Sequence, residues 1–107
     1  MRNGKVVNTN GDIRYWKDNK LHREDGPAVI IKDLNEQWCI EGEHHREDGP
    51  AVVYDNGTKC WWIKGKRHRE DGPAVVWANM DGGRWFIRDE ELTEQEFVVW
   101  RIENLLK

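Results

Sequence analysis

Short apolar runs alternate with turn residues through most of the chain. Each central unit has an Ala-Val run followed by a Trp-containing run, at 28–31 and 37–40, 51–54 and 60–63, and 74–77 and 84–87. Runs of about four β-branched and aromatic residues favour strands, and Asn56-Gly57 between the second pair of runs is a strong hairpin signal. The sequence therefore predicts one β-hairpin per unit and an antiparallel meander of successive hairpins.

The units are marked by one string, His-Arg-Glu-Asp-Gly-Pro-Ala-Val, which begins at His22, His45 and His68 with a spacing of 23 residues. Such a fixed period is typical of an array built from one supersecondary unit. We expect a single repeat domain over residues 1–107, with units at about 6–26, 27–49, 50–72 and 73–91. Residues 1–5 are expected to be a loose start.

The C-terminal end departs from the period. Thr93-Glu94-Gln95-Glu96 is a capping box, and apolar residues follow it at helical spacing. These residues are Val98, Val99, Ile102, Leu105 and Leu106. They predict a capping helix over 93–106 whose apolar stripe covers the open end of the array. The predicted fold class is mainly β: a single-layer or curled antiparallel meander of tandem 23-residue hairpins with a C-terminal capping α-helix.

Composition and charge exclude some classes of partner and location. Seven Trp residues among 107 can stabilise a thin core. The 17 basic and 20 acidic residues give a net charge of −3 with the signs interspersed, so nucleic acid is a disfavoured partner. There is no apolar run of about 18 residues and no signal-peptide core, so we expect no membrane association and a cytoplasmic location.

The two cysteines are expected to be free thiols. Cys39 and Cys60 stand in neighbouring units. Equivalent strands of stacked units lie about 9.6 Å apart, whereas a disulfide needs Cα atoms within about 7 Å. Free thiols are usual in a reducing cytosol.

We expect the repeated string to be structural. Asp before Gly-Pro is expected to bond backbone groups just downstream, Arg to pair with Glu of an adjacent unit, and His to bond a neighbouring turn. The residues concerned are His22, Arg23, Asp25, His45, Arg46, Asp48, His68, Arg69 and Asp71, with Glu24, Glu47 and Glu70 beside the arginines.

A metal site at the three histidines is the functional alternative. Zinc ligands lie within roughly 4 Å of one another, and histidines about 9.6 Å apart cannot share one ion, so no metal or other cofactor is expected. The sequence has no serine and no Gly-rich phosphate loop. Three copies of one loop do not form the single asymmetric pocket of an enzyme, so we expect no catalysis.

Two segments resemble a MORN-like repeat that is common in small bacteriophage and bacterial proteins: Gly42-x-x-His45-Arg-Glu-Asp-Gly-Pro-Ala51 and Gly65-Lys-Arg-His68-Arg-Glu-Asp-Gly-Pro-Ala74. The ending Leu92-Thr93-Glu94-Gln95-Glu96-Phe97 is similar to the usual terminator of that family. The resemblance covers roughly residues 11–100 and implies a hairpin-repeat sheet and a frequent phage origin. The broader MORN family is linked to protein contact and sometimes to phospholipid contact; here Pro-Ala after the Gly departs from the strict MORN pattern.

Comparison of the units with one another separates constant positions from variable ones. The second strands share Trp38 and Ile40, Trp61 and Ile63, and Trp85 and Ile87, which are expected to be core. Variable positions are Cys39, Trp62 and Phe86 on the second strand, and Ile31, Tyr54 and Trp77 on the first. A face that carries varied aromatic residues is either an interaction surface or is covered by the helix.

Trp100 lies about 200° around the predicted helix from Val98, opposite the apolar stripe. It either packs against a loop or anchors a partner. The candidate partner-binding residues are Tyr54, Trp62, Trp77, Phe86 and Trp100.

These observations favour a non-enzymatic protein-binding module, in its concrete form a small phage-encoded inhibitor of a host or immune-defence protein. One alternative is a structural or assembly protein that self-associates into a homo-oligomer through its sheet. Another is a protein that sequesters a small molecule or nucleotide on its Trp-rich face.

Overall fold

The computed structural model describes residues 1–105. Their strands are β1 Gly4–Val7, β2 Ile13–Lys17, β3 Lys20–Leu21, β4 Val29–Ile31, β5 Asn35–Gln37, β6 Cys39–Ile40, β7 Glu43–His44, β8 Val52–Tyr54, β9 Lys59–Cys60, β10 Trp62–Ile63, β11 Lys66–Arg67, β12 Val75–Val76, β13 Trp85–Ile87 and β14 Glu90–Leu92. Helix α1 follows at Glu94–Asn104. The chain begins its first strand at Gly4, so the prediction of a loose start through Lys5 is wrong by two residues.

A long antiparallel meander forms the body of the molecule. Its strand order is β1-β2-β4-β5-β8-β9-β12, and β3 pairs with β2 beside this path. Each Ala-Val run contributes one strand, and the turn at Asn56-Gly57 joins β8 to β9 as the sequence predicted. The predicted fold class, a mainly β antiparallel meander with a C-terminal helix, is confirmed.

A second row of hairpins runs beside the long sheet. The small sheets β6–β7, β10–β11 and β13–β14 each close with a two-residue turn, and β2–β3 does the same. The turns are Asp18-Asn19, Glu41-Gly42, Lys64-Gly65 and Arg88-Asp89, and all eight residues have φ between 49° and 83°. Two successive residues at positive φ are typical of the type I′ hairpin turn. The prediction of one hairpin per unit is therefore wrong, because the chain doubles back again before each repeated string.

The break between the two rows falls at Trp38 and Trp61. Trp38 N–H donates to Ala51 O at 2.6 Å in the long sheet, and its carbonyl accepts from His45 N at 3.0 Å. Trp61 is bonded in the same way, to Ala74 O at 2.7 Å and from His68 N at 3.1 Å. At these residues the chain leaves the long sheet and enters the second row.

The break changes part of the expected assignment of core and surface. Cys39 and Phe86, on the variable face that the sequence left open as an interaction surface or as a face covered by the helix, are each only 2% exposed. Of the residues predicted as core, Trp38 and Trp61 are half-buried, whereas Ile87 is buried as predicted. The alternation of sides that a continuous strand would impose does not carry across a change of sheet, which is the physical reason for the error.

Small and β-branched side chains fill the rest of the core. Ala28, Ala51 and Ala74 have no exposed surface, and Val29, Val52 and Val75 beside them are buried. Ala74 and Val75 pack with Phe86, and Trp61 lies against this cluster. The Ala and Val that end each repeated string therefore belong to the interior.

Helix α1 begins at the predicted capping box. Glu96 N–H donates to Thr93 Oγ1 at 3.1 Å, and Thr93 N–H donates to Glu96 Oε1 at 2.8 Å. Phe97 is its buried residue, at 4% exposure. Trp100 is half-buried and stacks on Phe97 with ring centroids 6.3 Å apart.

The predicted apolar stripe faces solvent. Val98, Val99, Ile102 and Leu105 are between 43% and 56% exposed, and Leu106 lies outside the described residues. Phe97 is about 100° around the helix from Val98 and about 140° from Ile102, so docking Phe97 turns the stripe outward. The prediction that the stripe covers the array is wrong; Phe97 docks the helix instead.

We predict that Phe97→Ala lowers the free energy of unfolding by about 3 kcal/mol, because it leaves a cavity under the helix. Ile102→Ala, on the exposed side of the same helix, is the matched control and should change it by less than about 0.5 kcal/mol. Urea unfolding followed by circular dichroism measures both. Equal effects of the two substitutions would contradict the docking of α1 through Phe97.

Candidate functional site

Each arginine of the repeated string lies flat on the aromatic ring eight residues before it. The guanidinium carbons of Arg23, Arg46 and Arg69 are 4.1, 3.9 and 3.7 Å from the ring centroids of Tyr15, Trp38 and Trp61. Such cation–π contacts stabilise most where the cation is shielded from water, and these arginine side chains are only 23–26% exposed.

Two hydrogen bonds fix each guanidinium. Arg46 Nε donates to Asp48 Oδ1 at 3.0 Å, and Nη1 donates to the carbonyl oxygen of Pro50 at 3.2 Å. Arg23 binds Asp25 and Pro27 in this way, and Arg69 binds Asp71 and Pro73. The prediction that the arginines pair with Glu of an adjacent unit is therefore wrong. The prediction that Asp bonds the backbone downstream is wrong as well, because its carboxylate accepts from the arginine of its own string.

The glycine of the string makes room for the guanidinium. A Cβ atom built on Gly49 would lie 3.0 Å from Arg46 Cζ, and the corresponding distances are 2.8 Å at Gly26 and 3.1 Å at Gly72. The guanidinium therefore fits between an aromatic ring and a backbone without a side chain. In each copy the guanidinium is therefore held by three other residues of its own string: Asp, Gly and Pro.

The histidines connect successive units. Nδ1 of His45 accepts from the N–H of Lys64 at 2.9 Å, and Lys64 is the first residue of the next type I′ turn. His22 binds Glu41 N–H and His68 binds Arg88 N–H at the same distance. Because Nδ1 accepts, a neutral ring carries its proton on Nε2, which faces the Glu of the same string at 3.5, 3.7 and 2.9 Å in the three copies. This is the neighbouring-turn bond that the sequence suggested.

Two equivalent grooves lie between successive copies of the string. We call residues 22–28, 45–51 and 68–74 the first, second and third motif loops. The first loop groove, between the first and second motif loops, is about 470 Å³ and has Trp38 and Ile40 in its lining. The second loop groove, between the second and third, is about 790 Å³ and is lined by Trp61 and Ile63. These pairs occupy the same repeat positions, so one groove occurs twice.

The rims of the loop grooves are acidic. Glu24, Glu47 and Asp48 have side chains that are 80–84% exposed, whereas the arginines lie beneath them, held against the rings. Each motif loop carries one Arg, one Glu and one Asp, which gives it a net charge of −1 with the histidine neutral. The surface offered to a partner is therefore a floor of Trp and Ile, flanked by the stacked arginines and the motif histidines, between rows of carboxylates.

The groove residues were missed as functional candidates. Trp38, Ile40, Trp61 and Ile63 were assigned to the core because they recur in every unit. Their recurrence was the available signal, since a repeated surface needs constant residues as much as a repeated core does.

The sequence-predicted binding residues differ in their exposure to solvent, and one of them is buried. Tyr54 and Trp77 are 37% and 39% exposed and stand at the ends of the first strands of successive units. Trp62 is half-buried in β10, with its ring 5.2 Å from that of His44. Phe86 is buried and cannot contact a partner, so its prediction is wrong; Arg67 covers its ring at 4.1 Å. Trp100 is on α1, stacked on Phe97.

The next candidates for chemistry are the two cysteines and any cluster of metal-binding side chains among residues 1–105. Cys39 and Cys60 are free thiols. Burial raises the pKa of Cys39 to about 11 and also raises that of Cys60, so both are protonated at neutral pH and poorly nucleophilic. Within residues 1–105, no three His, Cys, Asp or Glu side chains are grouped so that they could hold a metal ion.

Comparison of the chain with models of protein families, with curated proteins and with solved structures found no match. Among residues 1–105, no helix combines the length and the apolar character that crossing a membrane requires.

We predict that Arg46→Lys lowers the free energy of unfolding by about 1–2 kcal/mol, since lysine cannot donate to Asp48 and Pro50 together while lying flat on Trp38. Arg14→Lys is the control, because Arg14 lies in β2 and outside the repeated strings. Urea titration of both variants checks this. Comparable losses in the two would show that the ring-stacked geometry contributes nothing.

We predict an acid-sensitive contribution from His44. Burial lowers its pKa below the ordinary value of 6.5, and its Nε2 donates to Gln37 Oε1 at 3.0 Å. The unfolded chain then takes up the proton more readily than the folded one. The stability from this neutral ring is therefore full above about pH 6.5 and decreases as the pH falls towards the lower folded-state pKa.

Urea unfolding between about pH 7.5 and pH 5 should show a smaller loss of stability on acidification for His44→Gln than for the wild type. The three motif histidines are present in both proteins, so the difference isolates His44. Parallel pH profiles would refute the assignment.

Proposed function

We propose that this protein is a non-enzymatic protein-binding module whose docking surface is the pair of loop grooves. The observation that carries the proposal is the recurrence of one groove in successive units, with Trp and Ile lining it and carboxylates at its rim. Apolar centres with polar rims are typical of protein interfaces, and Trp is enriched among residues that contribute most to binding.

The chemistry of the motif loops supports binding over catalysis. Each motif histidine holds a backbone N–H with Nδ1 and faces a glutamate with Nε2, so its ring is engaged in structure. Each motif aspartate accepts a hydrogen bond from the arginine of its own string. The same arrangement in each copy suits a repeated contact with an extended partner.

The setting of this proposal comes from the MORN-like resemblance. It implies a phage protein acting inside a bacterial cell, and the proposed partner is a host or immune-defence protein that the module inhibits. Nucleic acid is a poor candidate for the grooves, because their exposed carboxylates repel phosphates.

Self-association is a second candidate, favoured by two exposed apolar surfaces. One is the outward side of α1 with Val98, Val99 and Ile102, and the other is the edge strand β1, where Val6 and Val7 are about half exposed. Edge strands with unpaired backbone groups readily pair with a second chain. Neither surface includes a loop groove, so the two candidates can be tested separately.

We predict that charge reversal on the groove rim removes partner binding. The full-length protein, immobilised as bait, is compared with Glu24→Lys/Glu47→Lys and with the control Glu36→Lys/Glu103→Lys, which changes the net charge equally on β5 and α1. Quantitative mass spectrometry of proteins captured from bacterial lysate should show a partner whose recovery falls at least about fivefold with the groove variant and is unchanged with the control.

Thermal unfolding of each bait checks that it is folded, as expected for substitutions at such exposed positions. A partner that the groove variant retains as well as the wild type does would exclude the loop grooves as the docking surface.

A further inference from the structure

We propose that the loop grooves take an extended segment of the partner in the polyproline II conformation, with a Lys or Arg side chain at every third residue. This inference rests on the proposed function and specifies the occupant of the same site. It follows from the spacing of the grooves, the charge of their rims and the character of their floor.

The spacing is set by the long sheet. Strands β4 and β8 occupy equivalent places in successive units, and both pair with β5. Strands β8 and β12 likewise both pair with β9. Equivalent strands are therefore two inter-strand spacings apart, or about 9.6 Å. Each motif loop leads directly into one of these strands, so the grooves repeat at about the same distance.

A polyproline II helix matches this spacing. It has three residues per turn and a rise of about 3.1 Å per residue, so every third side chain points the same way at intervals of about 9.3 Å. In a β-strand, side chains on one face recur at about 6.7 Å and then at about 13.4 Å, and neither distance fits. The groove period thus selects the polyproline II conformation over an extended strand.

The rim charges select a cation. Glu47 and Asp48 of the second motif loop face both grooves, and Glu24 and Asp71 stand on the far sides of the first and second groove. Their carboxylates are at least three-quarters exposed. One ammonium or guanidinium group entering each groove would gain two carboxylate neighbours from different loops.

The floor suits the rest of such a segment. Trp38 and Ile40, or Trp61 and Ile63, offer apolar surface to proline rings and to the aliphatic stems of lysine or arginine. Aromatic-lined grooves are a general means of recognising polyproline II segments, whose extended form loses little conformational entropy on binding.

The test uses two fluorescein-labelled peptides of equal length and charge, each a polyproline chain with three lysines. One has lysine at every third residue and the other at every fourth, which rotates successive lysines to different sides of the helix. Fluorescence anisotropy with the full-length protein should show at least about tenfold tighter binding of the every-third peptide. That preference should disappear in Glu24→Lys/Glu47→Lys and persist in Glu36→Lys/Glu103→Lys.

Equal binding of the two peptides, or binding to neither, would overturn this occupant. If the groove variant nevertheless loses its captured partner, the docking surface stands and only the polyproline II assignment fails. If capture is also insensitive to groove charge, the proposed function fails with it.

Discussion

The arrangement on which the rest depends is an arginine held between an aromatic ring and a glycine. Arg46 stacks on Trp38 with its guanidinium 3.9 Å from the ring centroid, and Gly49 leaves space on its other side. Asp48 and the Pro50 carbonyl accept its hydrogen bonds. The loop therefore has one conformation that satisfies all of these contacts. The histidine of the same loop accepts a hydrogen bond from the next hairpin turn, so the position of the loop also fixes the position of that turn in the following unit.

The contacts within each motif loop determine which of its charged side chains are exposed to solvent. The arginine of the loop is mostly buried by its contacts with the ring, the Asp and the Pro carbonyl, while the side chains of Glu47 and Asp48 remain in solvent. Constant residues are found both in the core, as the Ala and Val of each string, and at the grooves, as the half-buried Trp and Ile. Cys39 and Phe86 are different residues at one repeat position in the interior, whereas the Trp and Ile that line the two grooves are the same in both. The Trp and Ile at the grooves recur although they are only half-buried, and this constancy at the surface is why we assign function to the grooves.

Local signals made the strands, the Asn56-Gly57 turn and the Thr93 capping box predictable, because each depends on a few neighbouring residues. The second row of hairpins was not predictable in this way: Lys64 and Arg88 occupy positive φ without being glycine, and the bond from a histidine about twenty residues earlier helps to hold each of them there. The grooves could not be placed either, since the sides occupied by Trp38 and Ile40 depend on a change of sheet that leaves no local signature. The charge and constancy of the groove residues were visible in the sequence; their meeting across units was not.

The end of the array follows from the same constraint. Thr93 stands eight residues after Trp85, the place at which each repeated string supplies its arginine after Tyr15, Trp38 or Trp61. Without a guanidinium to stack there, no further motif loop forms, and the chain starts α1 from Thr93 instead. Three motif loops enclose two grooves, so the replacement of a fourth string by a helix limits the docking surface to two repeats. The number of strings, and not the identity of any single residue, therefore sets how long a partner segment the grooves can hold.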